Sequence, residues 1–287
     1  MKPAPCAYAR PRDLAELLGT LSDGDVVLAG GQSLLPWMNE RRVTASRLVD
    51  INDVTELQRT DIGPDTVTLG ALTRHRTVAQ DPRIRAALPV LASAAARVGH
   101  EAVRTRGTLG GSIATADPAA ELPGVSVLLG ASAQLASPLG RRTVGVRQLL
   151  RPGTLQEHEV IVAVEFPRTP DQDGWGFREL SRPGAYAFPL VTVACTVGLA
   201  ANGTVCRLRA AVTGAAPAPY DLGEAADHLT GRAPDDDWSA AVAGELAERA
   251  DPVHDQHASA AYRRRVVRLL TVQALADAVG RATASAQ

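Results

Sequence analysis

Two glycine pairs, each closely followed by a serine, constrain this chain of 287 residues more than any other feature. Residues 30–33 (GGQS) directly follow an apolar run at residues 25–29 that has the pattern of a short buried strand, and residues 110–112 (GGS) form the second pair. A strand that enters a glycine turn before a helix brings several backbone N–H groups to one point, and such a nest binds phosphate. Glycine suits the turn because it has no Cβ to block the ligand. The sequence therefore predicts two candidate phosphate-binding turns.

Each turn alone is a weak signal, because an ordinary tight turn can have the same sequence. Neither has the spacing of the dinucleotide fingerprint or of the Walker loop. The two turns together are more informative, since they could bind one pyrophosphate from two sides. Downstream of the second turn, Asp117 and Glu121 share a face if that stretch is helical, and carboxylates there would accept hydrogen bonds from ribose hydroxyls. Alternatively, Asp117 caps a helix that starts at Pro118.

The remaining pattern predicts an α+β chain of two domains. A strand at residues 160–166 closes the first region, and the polar stretch 167–176, rich in Pro, Gly and Asp, marks a linker or exposed loop. Beyond it, the pair Asn202-Gly203 predicts a hairpin between strands at residues 190–199 and 206–213. Helices are expected at residues 240–250 and 259–279. The second of these carries Arg263, Arg264, Arg265 and Arg268, which we expect at its exposed surface, either solvated or facing a partner chain.

Composition and residue spacing exclude several classes of function. The formal net charge of −1 does not suggest nucleic-acid binding. The three cysteines and six histidines show no metal-ligand spacing, and we find no nucleophile or catalytic triad, so we predict neither a metal site nor a catalytic residue in this chain. No apolar run approaches the ~18 residues of a membrane helix, and the N-terminal residues do not resemble a signal peptide. We therefore expect a cytoplasmic protein without membrane insertion.

Three motifs resemble one known family. Residues 28–36 (LAGGQSLLP) resemble the first FAD-binding loop of the medium subunits of molybdenum hydroxylases, which include the carbon monoxide dehydrogenase flavoprotein and the flavin part of xanthine dehydrogenase. Residues 104–112 (RTRGTLGGS), continuing to residues 116–121 (ADPAAE), resemble the second loop. Residues 255–263 (DQHASAAYR) resemble the C-terminal signature of the same subunits. The motifs span nearly the whole chain, so the resemblance is specific.

The resemblance implies a fold and a role. The fold is α+β, with a two-lobed FAD-binding domain of the vanillyl-alcohol-oxidase (PCMH) type at residues 1–172, in lobes of about 1–57 and 58–172, and a smaller α+β C-terminal domain at residues 173–287. The role is that of an electron-transfer subunit with bound FAD, which passes electrons from an iron–sulfur subunit to an external acceptor such as NAD or oxygen. We expect this FAD to be bound non-covalently, because Gln32 stands in place of an attaching histidine and no cysteine lies near either loop. Molybdopterin and iron–sulfur clusters would lie only on the partner chains, a large molybdopterin subunit and an iron–sulfur subunit, in a dimer of heterotrimers.

The resemblance also implies which residues bind the cofactor. Tyr186 would stack on the isoalloxazine ring, although a tyrosine buried between the domains is the alternative. Ile161 and Arg178 would lie near the flavin, and Asp117 and Glu121 near the hydroxyl groups. The two glycine loops would hold the pyrophosphate through the backbone of Ala29, Gly30, Gly31, Gln32, Ser33 and Leu34 in the first loop and of Thr108, Leu109, Gly110, Gly111 and Ser112 in the second.

Two other functions remain open at this point. The first is a self-sufficient flavin-dependent oxidoreductase on the same scaffold. Covalent-flavin oxidases of this kind often attach flavin to a histidine beside the first loop, where this chain has Gln32, and the UDP-sugar reductases need an acidic residue and a sugar-nucleotide site that the sequence does not locate. The second is an interaction subunit that retains the fold without flavin, against which the intact glycine loops argue.

Overall fold

The computed structural model describes residues 2–181 and 188–285, and only the backbone of residues 224–226. Its first sheet is parallel, with strand order β1-β3-β2. The strands are β1 (Ala7–Ala9), β2 (Asp25–Leu28) and β3 (Arg47–Asp50), connected through helices α1 (Leu14–Thr20) and α2 (Leu34–Asn39). Helix α1 begins where the Asp13 side chain accepts a hydrogen bond from the Glu16 N–H, and it buries Leu14 and Leu17 in a small core with Val49 and Ile51. Because β2 and β3 are parallel, both of their carboxyl ends reach the same edge of the sheet.

A second, antiparallel sheet of five strands forms the larger lobe, in the order β4-β5-β8-β6-β7. After a 3₁₀ turn (Thr55–Gln58), its strands are β4 (Thr60–Ile62), β5 (Thr66–Gly70), β6 (Ser132–Ser137), β7 (Gly140–Gly145) and β8 (Val160–Pro167). The long connection between β5 and β6 folds into six short helices that cover the sheet and form the main core with it. These are α3 (His75–Gln80), α4 (Pro82–Ala87), α5 (Pro89–Arg97), α6 (Glu101–Arg106), α7 (Leu109–Thr115) and α8 (Glu121–Leu128), and a further helix, α9 (Val146–Leu149), follows β7.

A third sheet and two long helices form the C-terminal region. The sheet is antiparallel with order β12-β11-β10-β9. Helix α11 lies directly on β9, because a Cβ on Gly174 or Gly176 would fall within 2 Å of a carbonyl oxygen of that helix, at 1.8 Å and 1.9 Å respectively. The elements are β9 (Gly174–Ser181), β10 (Pro189–Leu199), β11 (Val205–Thr213), β12 (Tyr220–Asp221), a 3₁₀ helix (Gly223–Leu229), α10 (Asp236–Glu248) and α11 (Ala260–Ser285).

In this third region the sequence predicted the hairpin and both helices, but neither β9 nor β12. The hairpin of β10 and β11 is confirmed, but its loop has three residues, 201–203, rather than the two of the predicted Asn202-Gly203 turn. Gly203 adopts a φ of +81°, the left-handed conformation that a three-residue hairpin loop requires. The polar linker is shorter than predicted, since β9 already begins at Gly174. Of the helices that the structure describes, none combines the length and the hydropathy needed to span a membrane.

Candidate functional site

The first glycine loop presents unpaired backbone donors. It connects β2 to α2 at the carboxyl edge of the parallel sheet, and Gly31 adopts a φ of +71°, which L side chains rarely adopt. Within the described chain, the N–H groups of residues 31–34 find no protein acceptor. The Gln32 side chain instead turns back, and its Nε2 donates to the Gly30 carbonyl oxygen over 3.1 Å. The loop therefore has the open donors that an anionic ligand needs.

The second glycine stretch differs from the prediction, because it is the first turn of helix α7 rather than a free turn. Thr108 caps the helix by accepting a hydrogen bond from the Gly111 N–H on its Oγ1, at 3.1 Å. The N–H groups of Leu109 and Gly110 donate to the Thr73 and Ala71 carbonyl oxygens, and that of Ser112 donates to the Thr108 carbonyl oxygen. The backbone donors of residues 109–112 are thus already used within the protein.

The glycines of the second stretch serve close packing. A Cβ on Gly110 would lie 2.6 Å from the Cβ of Ala71, so a side chain there would push α7 off the end of β5. Gly111 faces the first loop, since a Cβ on it would lie 3.8 Å from the Cβ of Ala29. No described residue forms a hydrogen bond with the hydroxyl of Ser112, so this hydroxyl near the amino end of α7 is available to a ligand.

The structure brings the two loops into direct contact. A Cβ on Gly30 would lie only 2.4 Å from the Arg106 carbonyl oxygen and 2.9 Å from the Cα of Gly107. Both contact atoms belong to the backbone of the second FAD-loop motif, residues 104–112, so only glycine permits this approach. The open donors of the first loop and the amino end of α7 therefore border one site.

Sequence reasoning missed a polar network that joins the loops. Asn52 donates through Nδ2 to the Ala29 carbonyl oxygen at 2.9 Å, and its Oδ1 accepts from Nη2 of Arg74 at 2.6 Å. Arg74 Nη1 donates to the Arg106 carbonyl oxygen at 2.5 Å. Asn52 could have been found from its position just after β3, at the ligand-binding edge of a parallel sheet. Nothing in the local sequence marks Arg74.

His75 supports the second loop from behind. Its ring is buried, lies against Gly107, and places Nε2 3.0 Å from the Thr108 carbonyl oxygen. Burial lowers the pKa of His75 to about 4, and the nearby positive charges of Arg74 and Arg104 act in the same direction. At neutral pH the ring is therefore uncharged. Because a carbonyl oxygen can only accept, the ring carries its proton on Nε2, and this Nε2–H donates to the Thr108 carbonyl oxygen.

Asp117 and Glu121 do not share a helix face, so that prediction is wrong. Ala116 ends α7 with a φ of +50°, and α8 begins only at Glu121, with Ala120 as its N-cap. Asp117 lies in the turn between the helices and accepts a hydrogen bond from the Ala119 N–H at 2.8 Å, so it is not the predicted helix cap either. Burial raises the pKa of Glu121 to about 7, and the negative charges of Glu179 and Asp117 add to that effect.

Glu121 should make the stability of the FAD-free chain depend on pH. Its pKa in the folded chain, about 7, lies above the ordinary value of 4.5, so the folded chain binds more protons at this position between about pH 4.5 and pH 7. The free energy of unfolding therefore falls as pH rises through that window, by roughly 3 kcal/mol at about 1.4 kcal/mol per pKa unit. The Glu121→Gln variant should lose this dependence and exceed the wild type in stability at pH 8, as measured by urea unfolding.

The matched control for this prediction is Glu157→Gln, a change at an exposed glutamate that should leave the pH profile of stability as in the wild type. Parallel pH profiles for the wild type and Glu121→Gln would contradict the prediction.

Three other predicted site residues have separate positions. Ile161 lies in the main core on β8, in register with Leu135. Arg178, on β9, makes two hydrogen bonds of 2.7 Å and 2.8 Å with the carboxylate of Asp277 on α11, so its contacts are to the C-terminal helix rather than to either loop. Tyr186 lies outside the described residues. The contact of these three residues with a flavin stays a prediction. Among the described residues, no group of three or more His, Cys, Asp or Glu side chains could hold a metal ion.

Two family models match consecutive parts of the chain. Residues 4–169 match the FAD binding domain in molybdopterin dehydrogenase, and residues 175–278 match the CO dehydrogenase flavoprotein C-terminal domain. The 6-hydroxypseudooxynicotine dehydrogenase complex subunit alpha of Paenarthrobacter nicotinovorans is 37% identical over 98% of this chain and 97% of its own length. The carbon monoxide dehydrogenase medium chain of Hydrogenophaga pseudoflava is 33% identical over 96% of this chain and 97% of its own length.

Solved structures show the same similarity in three dimensions. A chain of carbon monoxide dehydrogenase from Hydrogenophaga pseudoflava superposes with a TM-score of 0.92 at 32% identity, covering 98% of this chain and 99% of that one. A chain of quinoline 2-oxidoreductase from Pseudomonas putida 86 superposes with a TM-score of 0.91 at 33% identity, with the same coverage of both chains. The whole described fold is therefore shared with these proteins.

Proposed function

Because the chain belongs to the family of FAD-binding medium subunits of molybdenum hydroxylases, we propose that it carries electrons through FAD from an iron–sulfur subunit to an external acceptor. The observation that carries the proposal is the contact between the two glycine loops beside the open N–H donors of residues 31–34. The family consists of oxidoreductase subunits, and its model over residues 4–169 is that of an FAD-binding domain.

The residues at the two loops fit FAD. A pyrophosphate carries negative charge and accepts hydrogen bonds, which matches open backbone donors in a turn where Gly31 has a positive φ. Glu121 is 6% exposed, so its carboxyl has lost most of its hydration and would gain from hydroxyl donors of the ribityl chain or ribose. In this proposal the first loop contributes backbone N–H groups, and the second contributes the Ser112 hydroxyl and the packing surface of Gly111.

The bound flavin would supply the electron chemistry, since FAD takes up electrons singly and passes them on in pairs. This chain would supply position and environment: the loops hold the dinucleotide, and the neutral ring of His75 keeps the Thr108 carbonyl in place. We propose that FAD binds non-covalently, because Gln32 stands where covalent-flavin proteins often carry histidine and its amide bonds to the Gly30 carbonyl oxygen.

We further propose partner chains and a domain boundary. The relatives include a dehydrogenase complex subunit and a nicotine 6-hydroxylase medium subunit, which supports an assembly of several subunits. In our proposal the partners are an iron–sulfur subunit and a large molybdopterin subunit, the assembly is a dimer of heterotrimers, and the acceptor is NAD or oxygen. A boundary near residue 172 is supported by the ends of the family models at residues 169 and 175 and by the loop between β8 and β9.

The test uses an iron–sulfur chain of the kind proposed here as the partner. That chain is reduced with dithionite, freed of excess reductant, and mixed without oxygen with the FAD-loaded subunit. We expect the visible flavin band to bleach only when the reduced iron–sulfur chain is present, and acid precipitation to release the flavin into solution.

A chain without any flavin band would support the interaction subunit instead. A flavin that stays oxidised beside the reduced iron–sulfur chain would favour the self-sufficient flavin oxidoreductase. A flavin retained in the acid pellet would contradict non-covalent binding alone.

A further inference from the structure

Arg74 occupies the junction between the lobes and the two loops. It is the N-cap residue of α3, next to His75. Its guanidinium donates to the Asn52 side chain on the first lobe at 2.6 Å and to the Arg106 carbonyl oxygen in the second loop motif at 2.5 Å. Asn52 in turn bonds to the Ala29 carbonyl oxygen at the start of the first loop. One side chain therefore connects both loops through neutral amide oxygens.

The positive charge of Arg74 is not compensated by a carboxylate at ion-pair distance within the described chain. The Asp50 carboxylate acts on it from beyond ion-pair distance and is already engaged by the Tyr8 hydroxyl at 2.7 Å and by Asn52. The like charge of Arg106 lies nearby, and Arg74 is half-buried, so burial and this neighbour both lower the pKa of its guanidinium. The guanidinium remains a cation at neutral pH.

A partly desolvated cation without an acidic partner is costly, and an anion beside it relieves that cost. Arg76, two residues along the same short helix, shows the ordinary arrangement, since it is exposed, bonds to Gln80 and lies 3.3 Å from Glu101. Arg74 thus differs from its neighbour both in burial and in the charge of its acceptors. Its location is the edge where the open donors of the first loop face the second loop.

We propose that Arg74 is a positioning residue of the FAD site, which holds the two glycine loops together through Asn52 and the Arg106 carbonyl and completes the positive environment for the pyrophosphate. The inference rests on the proposed function, because it takes FAD as the ligand of the loops. A ligand binds more tightly to a site that is already held in its bound arrangement, because less conformational entropy is lost on binding.

The test compares Arg74→Met, Arg74→Lys and the control Arg76→Met in the full-length FAD-free chain. The dissociation constant for FAD is measured by fluorescence titration at low and high salt, and thermal unfolding of each FAD-free variant by circular dichroism. Arg74→Met should raise the dissociation constant by roughly 100-fold and weaken its salt dependence, since one fixed positive charge is lost.

The dissociation constant of Arg74→Lys should lie between those of the wild type and Arg74→Met, and its salt dependence should be that of the wild type. Lysine keeps the charge but lacks the two guanidinium nitrogens that bond to Asn52 and to the Arg106 carbonyl oxygen. Arg76→Met should stay within about twofold of the wild type, as expected for an exposed surface position. If Arg74→Met unfolds early, the lysine variant still decides the matter, because affinity and salt dependence are read on folded protein.

If Arg74→Met binds FAD as tightly as the wild type does, the inference is overturned. It is also overturned if both Arg74 variants lose affinity for FAD while the salt dependence of binding stays unchanged. A wild-type chain that fails to bind FAD overturns the proposed function instead, so the two failures are distinguishable.

Discussion

Gly30→Ala is expected to abolish tight flavin binding while leaving most of the fold intact. The added Cβ would lie 2.4 Å from the Arg106 carbonyl oxygen, 2.9 Å from the Cα of Gly107 and 3.0 Å from the Arg106 carbonyl carbon. All three atoms are backbone atoms that cannot rotate away, so the loops must move apart and the open donors of residues 31–34 shift with them. We expect the dissociation constant for FAD to rise by at least roughly 100-fold, which corresponds to about 3 kcal/mol.

The measurement is flavin content after purification together with a fluorescence titration of the FAD-free chain. Gly19→Ala is the matched control, because a Cβ on that helical glycine would meet no atom within 4 Å and alanine favours a helix. The control should bind FAD as the wild type does and be equally or slightly more stable. Full flavin content in Gly30→Ala would show that the close contact between the loops is not what forms the site.

Arg263→Met is expected to lower the free energy of unfolding by about 1 to 3 kcal/mol, the range for leaving a buried hydrogen-bonding group without its partner. Arg263 is 6% exposed, and its Nη1 donates to the Leu190 and Gly214 carbonyl oxygens at 2.8 Å and 2.9 Å. Its Nη2 pairs with Asp255 at 2.8 Å. Methionine would fill part of the space but leave two carbonyl groups at the ends of β10 and β11 without this donor.

Urea unfolding at neutral pH measures this effect, with Arg268→Met as the control on the same helix. Arg268 is exposed, so its replacement should change the stability by no more than about 0.5 kcal/mol. Similar stabilities for the two variants would mean that the bonds of Arg263 contribute little. The expectation that all four arginines lie at the helix surface is already wrong for Arg263, because the stripe that α11 buries against β10 includes this position.

Features of the site that depend on adjacent residues could be predicted. The apolar run at residues 25–29 forms β2, Gly31 takes the positive φ for which glycine is suited, and a helix follows at once, since each of these depends on local preferences. The hairpin at Asn202-Gly203 formed for the same reason. Thr108 was the signal overlooked at the second loop, because a threonine ahead of GGS can cap a helix and consume the donors that a free turn would offer.

The position of Asp117 shows where a local rule failed. A spacing of four residues places two side chains on one face only if the helix is continuous, and here Ala116 and the following turn separate α7 from α8. The break has a local cause that the spacing rule ignored, since Pro118 has no N–H to donate and disfavours the helical conformation of Asp117. The Gly214 N–H, from a distant part of the chain, then donates to the Pro118 carbonyl oxygen in the turn.

By itself, the sequence determined several strands, among them β2, β8, β10 and β11, together with the glycine positions, the family and the kind of ligand, because these are encoded in short segments of the chain. Only the tertiary structure decided that Gly30 contacts the backbone at Arg106, that Arg74 joins the two loops, and that Arg263 is buried. Each of these contacts connects segments far apart in the chain. An arginine has the same local preferences whether it faces water or two buried carbonyl groups, and the packing of sheets and helices decides which of these it meets.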